Sequence, residues 1–408
     1  MTALTDGLAS VKDGGAQRCI CVVVGDMSAD KHVAKLVGHL KELQPDLHVF
    51  GVGGPEMEKA GVELLFNCQD FAAVGIFRLI HKVPMFANIR KVILDEIEKR
   101  KPGCALLVDF GGFNIGFSSA VRNRFAKLPI VYFISPQVWG SRPWRLIELA
   151  RNVSKMLVIF PFEQAIYERK GIPARFVGHP LMLHPEVWDQ KHSRHDVMTE
   201  LGLDPEKPLV AIFPGSRKQE ITDHMPVVAQ AVRWMKRVRP DIQFVLAQSN
   251  ERIAGLVAEQ LEKEKLKPGP DTGLHLVSSE VNYRLLPVAD LVWAKSGTTT
   301  LETTLCATPM IIFYRGDWLS FFLVLCFKTV KRVGWPNLLA GRDLVPELIQ
   351  LDCRAEKLVK YTLDLMDVPA LRREMASELR TLRDQLGQGD FAKNAALEIL
   401  EIIGCRTA

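Results

Sequence analysis

The chain has 408 residues, of which 48% are hydrophobic and 24% charged, and its formal net charge is +5. This length exceeds what one hydrophobic core usually supports, so the sequence predicts two domains of ordinary size. The apolar content excludes a disordered chain, and the scattered Lys and Arg residues exclude a basic tract of the kind that binds nucleic acid.

Short β-rich apolar segments alternate with amphipathic segments along the chain, which is typical of βαβ units and parallel sheets. In the first half we predict strands in CICVVVG, LHVFGVGG, CALLVDF, IVYFI, KMLVIF and ARFVG, and helices at 34–43 and 89–99. The second half repeats the pattern with LVAIFPGS, IQFVLAQS, LHLVSS, LVWAKS and PMIIFYR. The sequence therefore predicts an α/β protein with two Rossmann-like domains.

The domain boundaries are predicted from polar and helical segments. A polar stretch at 184–208 separates the two series of strands, and no strand pattern remains after residue 350. The tail instead reads as helices at 355–366, 370–385 and 391–403. We predict an N-terminal domain at 18–183, a C-terminal domain at 205–385 and a final helical segment at 386–408.

Residues that follow the predicted strands are the first candidates for ligand binding, because ligands bind beyond the carboxyl ends of parallel strands. After the first strand, the segment GDMSAD could hold an anion with backbone N–H groups, or Ser28 and Asp30 could simply cap a helix. Asp109 ends a hydrophobic strand, where it could take a proton from an acceptor hydroxyl or serve as a helix N-cap.

Two later segments of the first half add polar candidates. Gln137 offers an amide for sugar hydroxyls and Trp139 a face for stacking, although either could be a packing residue. His179 lies between Gly178 and Pro180 on a predicted turn, a position that is harder to explain as core than one on a helix.

The second half contains two candidate phosphate-binding loops. Ser216 and Arg217 follow the first strand of that half, although the loop lacks the ending of a Walker A motif and could be a plain helix start. Ser296, Gly297 and Thr298 precede a predicted helix in the same way. Glu302 on that helix could bind ribose hydroxyls or take part in a capping box.

Asn337 lies in a turn-rich segment and supplies both a donor and an acceptor, as a sugar or diphosphate contact requires. By itself this segment would be read as an ordinary loop. Two phosphate-type loops in the same half favour a nucleotide site there.

Taken together, eight ordered segments resemble the lipid-A-disaccharide synthase family of GT-B glycosyltransferases over about residues 22–403. They are GDMSAD, VGGPEMEKAG, VDFGGFN, YFISPQVW, FPFEQAIYERKGIPARFVGHPL, PGSRKQEI, SGTTTLETTLCATPMIIFYR and PNLLAGRDLVPELIQ. The resemblance implies two Rossmann-like domains whose parallel sheets face a cleft, with C-terminal helices that cross back to the first domain.

The resemblance also implies an inverting transfer of the sugar of UDP-2,3-diacylglucosamine to 2,3-diacylglucosamine 1-phosphate, with release of UDP. On this analogy Asp109 is the general base. The UDP portion would be held by Ser216, Arg217, Ser296, Gly297, Thr298, Glu302 and Asn337, and the acceptor side of the cleft would be lined by Ser28, Asp30, Gln137 and His179. No metal motif is visible, so we expect neither a metal nor another cofactor.

The sequence also bears on location. The first 18 residues contain no apolar core of a secretory signal, and the eight cysteines form no C-x-x-C pair, so we expect a cytoplasmic protein with reduced thiols. The apolar run 318–327 is half the length that spans a bilayer. It could be a buried helix or an interfacial one, and 71–82 is a second interfacial candidate. The family implies peripheral contact with the inner membrane.

Three positions depart from the family pattern: Asp26 replaces Glu, Ala29 replaces Gly, and Gly111 stands where Pro is frequent. The first two alter the loop expected to face the acceptor. Alternatives that keep the nucleotide loops are a UDP-sugar 2-epimerase, a GT-B transferase with a soluble acceptor, and an inactive binding homologue.

Overall fold

A computed structural model describes residues 19–69, 83–183, 193–316, 332–387 and 389–405. The two predicted interfacial segments, 71–82 and 318–327, lie outside the described residues. The chain divides into two units, one comprising Met1–Pro180 with Gly389–Ala408 and the other Leu181–Gln388. Each unit is built on its own parallel sheet.

Within the described residues, the first unit has a seven-stranded sheet in the order β3-β2-β1-β4-β5-β6-β7. Its strands are β1 Cys19–Val24, β2 His48–Gly53, β3 Glu63–Asn67, β4 Cys104–Val108, β5 Ile130–Phe133, β6 Lys155–Val158 and β7 Ala174–Phe176. Its helices are α1 Met27–Leu43, α2 Pro55–Lys59, α3 Val83–Arg100, α4 Gly111–Arg124, α5 Val138–Ser141, α6 Arg145–Asn152 and α7 Pro161–Glu168.

The second unit has a six-stranded sheet among the described residues, in the order β10-β9-β8-β11-β12-β13. Its strands are β8 Leu209–Phe213, β9 Gln243–Gln248, β10 Leu274–Ser278, β11 Leu291–Lys295, β12 Met310–Tyr314 and β13 Glu347–Ile349. Its helices are α8 Arg194–Glu200, α9 Lys218–Val238, α10 Glu251–Lys263, α11 Asn282–Leu285, α12 Thr298–Leu305, α13 Trp335–Ala340, α14 Ala355–Asp367 and α15 Pro369–Gln385. The last helix of the chain is α16, Phe391–Ile402.

The central strands of both sheets form the cores. Every residue of β4, β5 and β8 is buried, as is typical of parallel strands that are covered by helices on both faces. This burial explains why these strands read as continuous apolar runs in the sequence. All cysteines in the described ranges are free, and most of them are buried.

Two edge strands escaped the sequence analysis, which predicted six strands in the first half and five in the second. Strand β3 is only partly buried, and β13 has three residues. Edge positions need no continuous apolar run, because one side of the strand has no partner and its faces are less covered. Short edge strands therefore leave a weak sequence signal.

The C-terminal helix α16 packs within the first unit. Asp390 caps it through Ala392 N–H and also lies 2.8 Å from Nε2 of His39 on α1. The ring of Phe391 stacks on that of Phe133 of β5 at 6.1 Å. The end of the chain therefore completes the core of the first unit rather than that of the second.

Candidate active site

The strand order of each sheet reverses at one point, and the loops at these two points carry most of the predicted site residues. In the first unit the order reverses between β1 and β4, which are followed by Asp26 and Asp109. In the second it reverses between β8 and β11, which are followed by 214–217 and 296–298. Ligands of open α/β sheets bind at such switch points.

The backbone around Asp109 is held in an uncommon conformation. Asp109, Phe110 and Ile134 all have positive φ angles, 41°, 47° and 55°. The carbonyl of Asp109 accepts hydrogen bonds from Tyr132 Oη at 2.6 Å and from Asn114 Nδ2 at 3.1 Å. Left-handed non-glycine residues are unfavourable by about 1–3 kcal/mol each and cluster at functional sites. The strand-to-helix turn is therefore fixed around the carboxylate.

Asp109 has the electrostatic character of a base that works near neutral pH. Burial, together with the negative charge of Asp26, raises the pKa of its carboxyl to about 6. A general base is most effective when its pKa lies near the working pH. Asp26 could not be recognised from the sequence as a partner of Asp109, because the two residues meet only through the pairing of β1 with β4.

The GDMSAD loop distributes its polar groups differently from the prediction. Asp26, not Ser28 or Asp30, caps α1, since its Oδ1 accepts hydrogen bonds from the N–H groups of Ser28 and Ala29 at 2.9 Å. Ser28 is exposed. Asp30 is fully buried, and its carboxylate accepts N–H bonds from Gly54 and Met57 at 2.8 and 3.1 Å. Asp30 therefore ties the first loop to the Gly-rich loop after β2.

The segment after β5 is anchored by a carboxylate that the sequence analysis missed. Glu163 of α7 is buried and accepts hydrogen bonds from Ser135 Oγ at 2.8 Å and Trp139 Nε1 at 3.0 Å. Burial raises the pKa of Glu163 to about 7. Trp139 is buried and packs edge-on against Phe162, so it is a packing residue, whereas Gln137 is exposed.

His179 is also in the first unit and is buried against the ring of Phe160, with 4.9 Å between ring centroids. Burial, with a smaller contribution from His32, lowers the pKa of His179 to about 3. Gly178 before it has a φ of 104°, which favours glycine. His179 is therefore a neutral side chain near neutral pH.

In the second unit an ion pair joins the two candidate phosphate loops. Glu220 on α9 is 2.8 Å from Nζ of Lys295 at the end of β11, and both side chains are mostly buried. Glu220 also accepts the backbone N–H of Ser216 at 2.9 Å. Although burial opposes it, the hydrogen bonds from Lys295 and Ser216 hold the pKa of Glu220 below its usual value. The pair fixes the spacing of the two loops.

The first of these loops presents its side chains to solvent. Ser216 is exposed, and the side chain of Arg217 is 81% exposed, with its guanidinium 3.7 Å from Glu220. The backbone N–H of Ser216 donates to Glu220. Gly215 has a φ of 130°, and a Cβ there would lie 2.6 Å from Oε2 of Glu220. Only glycine lets this loop close on Glu220.

The second loop starts α12, and Gly297 is its N-cap residue. Ser296 is partly buried and donates through its hydroxyl to Val333 O at 3.4 Å, whereas Thr298 is exposed. Glu302 accepts a hydrogen bond from the hydroxyl of Tyr283 at 3.2 Å, and burial raises the pKa of its carboxyl. The structure thus brings Ser296, Gly297 and Thr298 beside the loop of Arg217.

Asn337 lies in the protein interior with its amide fully used. Nδ2 donates to Val345 O at 2.8 Å and to Glu347 Oε1 at 2.9 Å, and Oδ1 accepts from the N–H groups of Leu344 and Val345. An amide has four hydrogen-bonding positions, and all four are occupied within the protein. Asn337 therefore holds residues 344–347 against α13.

A buried histidine of the second unit connects the loop after β8 to the end of β12. His224 of α9 contacts Pro214 O through Nδ1 at 2.6 Å and accepts the N–H of Arg315 through Nε2 at 3.0 Å. These partners require a neutral ring with its proton on Nδ1. Burial lowers the pKa of His224, in agreement with that state. In the sequence, His224 lies at a buried helical position like those of its apolar neighbours, so it could not be told apart from a core residue.

Two further properties concern only the described part of the chain. Among those residues, no group of three or more His, Cys, Asp or Glu side chains is placed to hold a metal ion. No helix within the same ranges is long and apolar enough to cross a membrane.

Known proteins are similar to this chain over nearly its whole length. The model of the family described as lipid-A-disaccharide synthetase matches residues 20–398. The lipid-A-disaccharide synthase of Geobacter sulfurreducens is 34% identical over 94% of this chain and 97% of its own. That of Anaeromyxobacter dehalogenans is 33% identical with the same coverage.

Among solved structures, the UDP-GlcNAc 2-epimerase of Neisseria meningitidis, bound to UDP-GlcNAc, has a TM-score of 0.60 over 94% of this chain and 100% of that one. It is only 12% identical, so this likeness concerns the fold alone. The match confirms the predicted GT-B fold.

Proposed function

Because this chain belongs to the lipid-A-disaccharide synthase family of glycosyltransferases, we propose that it joins two acylated glucosamines. The donor is UDP-2,3-diacylglucosamine, the acceptor is 2,3-diacylglucosamine 1-phosphate, and the products are a β(1→6)-linked disaccharide and UDP. The main support for the proposed mechanism is the place and pKa of Asp109. Its carboxyl lies at the switch point of the first sheet and has a pKa of about 6.

In the proposed reaction, the carboxylate of Asp109 takes the proton of the 6-hydroxyl of the acceptor. The hydroxyl oxygen forms a bond to C1 of the donor sugar while the bond from C1 to the UDP oxygen breaks. A single displacement of this kind inverts the configuration at C1. The fixed turn around Asp109 supports the role, because general-base catalysis requires a carboxylate in hydrogen-bonding reach of the hydroxyl.

The second unit would hold the UDP portion. The exposed guanidinium of Arg217 is suited to the diphosphate, because its fork of donors binds phosphate oxygens in pairs. Ser296, Gly297 and Thr298 would contribute at the start of α12, and Glu302 would meet the ribose hydroxyls beside Tyr283. Developing charge on the leaving diphosphate would be stabilised by these groups, without a metal or other cofactor.

Other predicted residues would act indirectly. The saturated amide of Asn337 would hold residues 344–347 against α13 instead of contacting UDP. Asp30 and His179 are buried, so they would support the acceptor side without contacting the sugar. Ser28 and Gln137 are exposed and accessible to a sugar, and the hydroxyl of Ser28 donates to Asp26 at 2.7 Å. Glu163 would orient the segment that carries Gln137.

Acylated substrates of this kind would be presented by a lipid surface. We propose that the protein acts as a peripheral protein on the cytoplasmic face of the inner membrane, where apolar segments would lie in the interface. Binding to liposomes of anionic lipid at low salt tests this proposal. A protein that stays in the supernatant under those conditions would contradict it.

The direct test incubates the protein with both substrates and measures UDP and disaccharide. We expect both products in equal amounts, and loss of turnover with retained UDP binding in Asp109→Asn. No product with the wild-type protein would overturn the proposed function. The same assay with UDP-GlcNAc alone distinguishes the 2-epimerase alternative, which would give an epimeric UDP-sugar without releasing UDP.

A further inference from the structure

An apolar groove of about 420 Å³ opens on the first unit, between α3 and α4. We call it the aromatic groove and define it by the rings of Phe86, Phe110, Phe113 and Phe117 together with Arg90. Neighbouring rings are 5.5–6.2 Å apart between centroids, so they form one continuous aromatic surface. Its volume lies within the range of small-molecule sites.

Residue spacing on α4 keeps the groove open. Phe113 and Phe117 are four residues apart, as are Gly112 and Gly116, so each pair lies on one helical face. Both glycines line the groove, and a Cβ added at either would meet no atom within 4 Å. Larger side chains at these two positions would project into the open space. Glycine in a helix is unfavourable by about 1 kcal/mol relative to alanine, so the open wall has a measurable energetic cost.

The groove adjoins the candidate base. Phe110, one of its rings, directly follows Asp109 and has a left-handed φ of 47°. The same ring also meets Gly25, where an added Cβ would lie 2.0 Å from Cγ of Phe110. One aromatic ring thus connects the groove to the loops after β1 and β4, at the switch point of the sheet.

We propose that the aromatic groove holds an acyl chain of the acceptor, 2,3-diacylglucosamine 1-phosphate, during transfer. This inference rests on the proposed function and names a binding site for its acceptor. The apolar rings match a methylene chain, and the groove continues into the loop of the base that must meet the acceptor hydroxyl. Arg90 at the edge is exposed and supplies a cation near the anionic head group.

The test replaces Gly116, one of the glycines that line the groove, and compares how KM depends on the length of the acyl chain. Gly116→Leu fills the groove, and Gly116→Ala is a smaller change that alanine's helix propensity favours. The matched control is Gly255→Leu on α10 of the second unit, an exposed helical glycine that also has open space around its Cβ. Far-UV circular dichroism and thermal unfolding verify that each variant is folded.

KM is then measured for acceptors with short and long acyl chains, at a fixed donor, and for donors of both lengths at a fixed acceptor. Each methylene that enters the groove should lower the wild-type KM for the acceptor by up to roughly fourfold. The long-chain advantage is the KM for the short-chain acceptor divided by the KM for the long-chain acceptor. We expect this ratio to fall at least tenfold in Gly116→Leu, to fall less in Gly116→Ala, and to stay unchanged in Gly255→Leu. An unchanged acceptor series in Gly116→Leu, or a change confined to the donor series, would overturn the inference.

A binding experiment without transfer separates this inference from the proposed function. cis-Parinaric acid, a fluorescent 18-carbon fatty acid, should bind the wild-type protein and Gly255→Leu at least tenfold more tightly than Gly116→Leu. Equal binding by all three would refute the acyl-chain site even if transfer occurs. If binding differs as expected but no disaccharide forms, the proposed function fails while the groove remains an acyl-chain site, and its assignment to the acceptor is withdrawn.

Discussion

Replacing Asp26 by Asn tests how the surroundings of Asp109 set the pH dependence of transfer. Burial first and the charge of Asp26 second raise the pKa of Asp109 from 3.8 to about 6. Asparagine keeps a side-chain oxygen for the N–H groups of Ser28 and Ala29 and caps helices as well as aspartate does. The substitution therefore removes a charge while it keeps the start of α1.

The size of the effect follows from the ionised fraction of the base. With a pKa of about 6, Asp109 is roughly 90% ionised at pH 7 and roughly 10% at pH 5, so kcat/KM should fall about tenfold between them. With the ordinary value of 3.8 it would hardly change over this range. Because burial remains in Asp26→Asn, the midpoint of the acid limb should lie between these two values.

The assay is the initial rate of UDP release between pH 4.5 and 8 for the wild type, Asp26→Asn and a control. Asp95→Asn serves as the control, since it removes an exposed carboxylate that pairs with Arg124 on the surface of the same unit. A phosphate monoester also titrates near pH 6, but the acceptor is common to all three enzymes. The reasoning is refuted if the wild type keeps full activity at pH 5, or if the profile of Asp26→Asn coincides with that of Asp95→Asn.

Three further predictions concern the loops and the buried histidine. Gly215→Ala should weaken UDP binding by calorimetry and lower stability by about 1–3 kcal/mol, because its Cβ would clash with Glu220 at a φ of 130°, whereas Gly255→Ala should do neither. Lys295→Met should lower the free energy of unfolding in urea by about 3 kcal/mol, because it leaves the buried carboxylate of Glu220 unpaired. The double variant Lys295→Met/Glu220→Gln should recover part of this loss, and no recovery would show that the ion pair does not hold the loops together. The pKa of His179 is about 3 in the folded protein against 6.5 unfolded, so its stability contribution is complete above pH 6.5 and is lost as the pH falls toward 3. The free energy of unfolding in urea should therefore be lower at pH 5 than at pH 7.5, and the difference should be smaller in His179→Gln.

The sequence alone determined the architecture and the position of the loops that carry the candidate site residues. Central parallel strands are buried on both faces, so β4 and β8 appear as uninterrupted apolar runs that any inspection of the sequence finds. Ligands of open α/β sheets bind beyond the carboxyl ends of such strands, so Asp109 and Arg217 are candidates on the sequence alone. The family resemblance rests on the same loops and was confirmed by the family model and the relatives.

The tertiary structure decided which polar groups are available and which are already bonded. Asp26 and Asp109 meet because β1 pairs with β4, and Glu220 and Lys295 meet because β8 pairs with β11. A sequence shows that a side chain has donors and acceptors, but their partners depend on strands that are neighbours only in the folded sheet.

Asn337 illustrates the limit of that reading. Its amide offers four hydrogen-bonding positions, and the fold fills all four from Leu344, Val345 and Glu347. Asp30 is used in the same way by the loop after β2. Buried polar atoms must be paired inside the protein, so residue type shows only that these side chains need hydrogen-bond partners. The packing determined that the partners of Asn337 and Asp30 are protein groups.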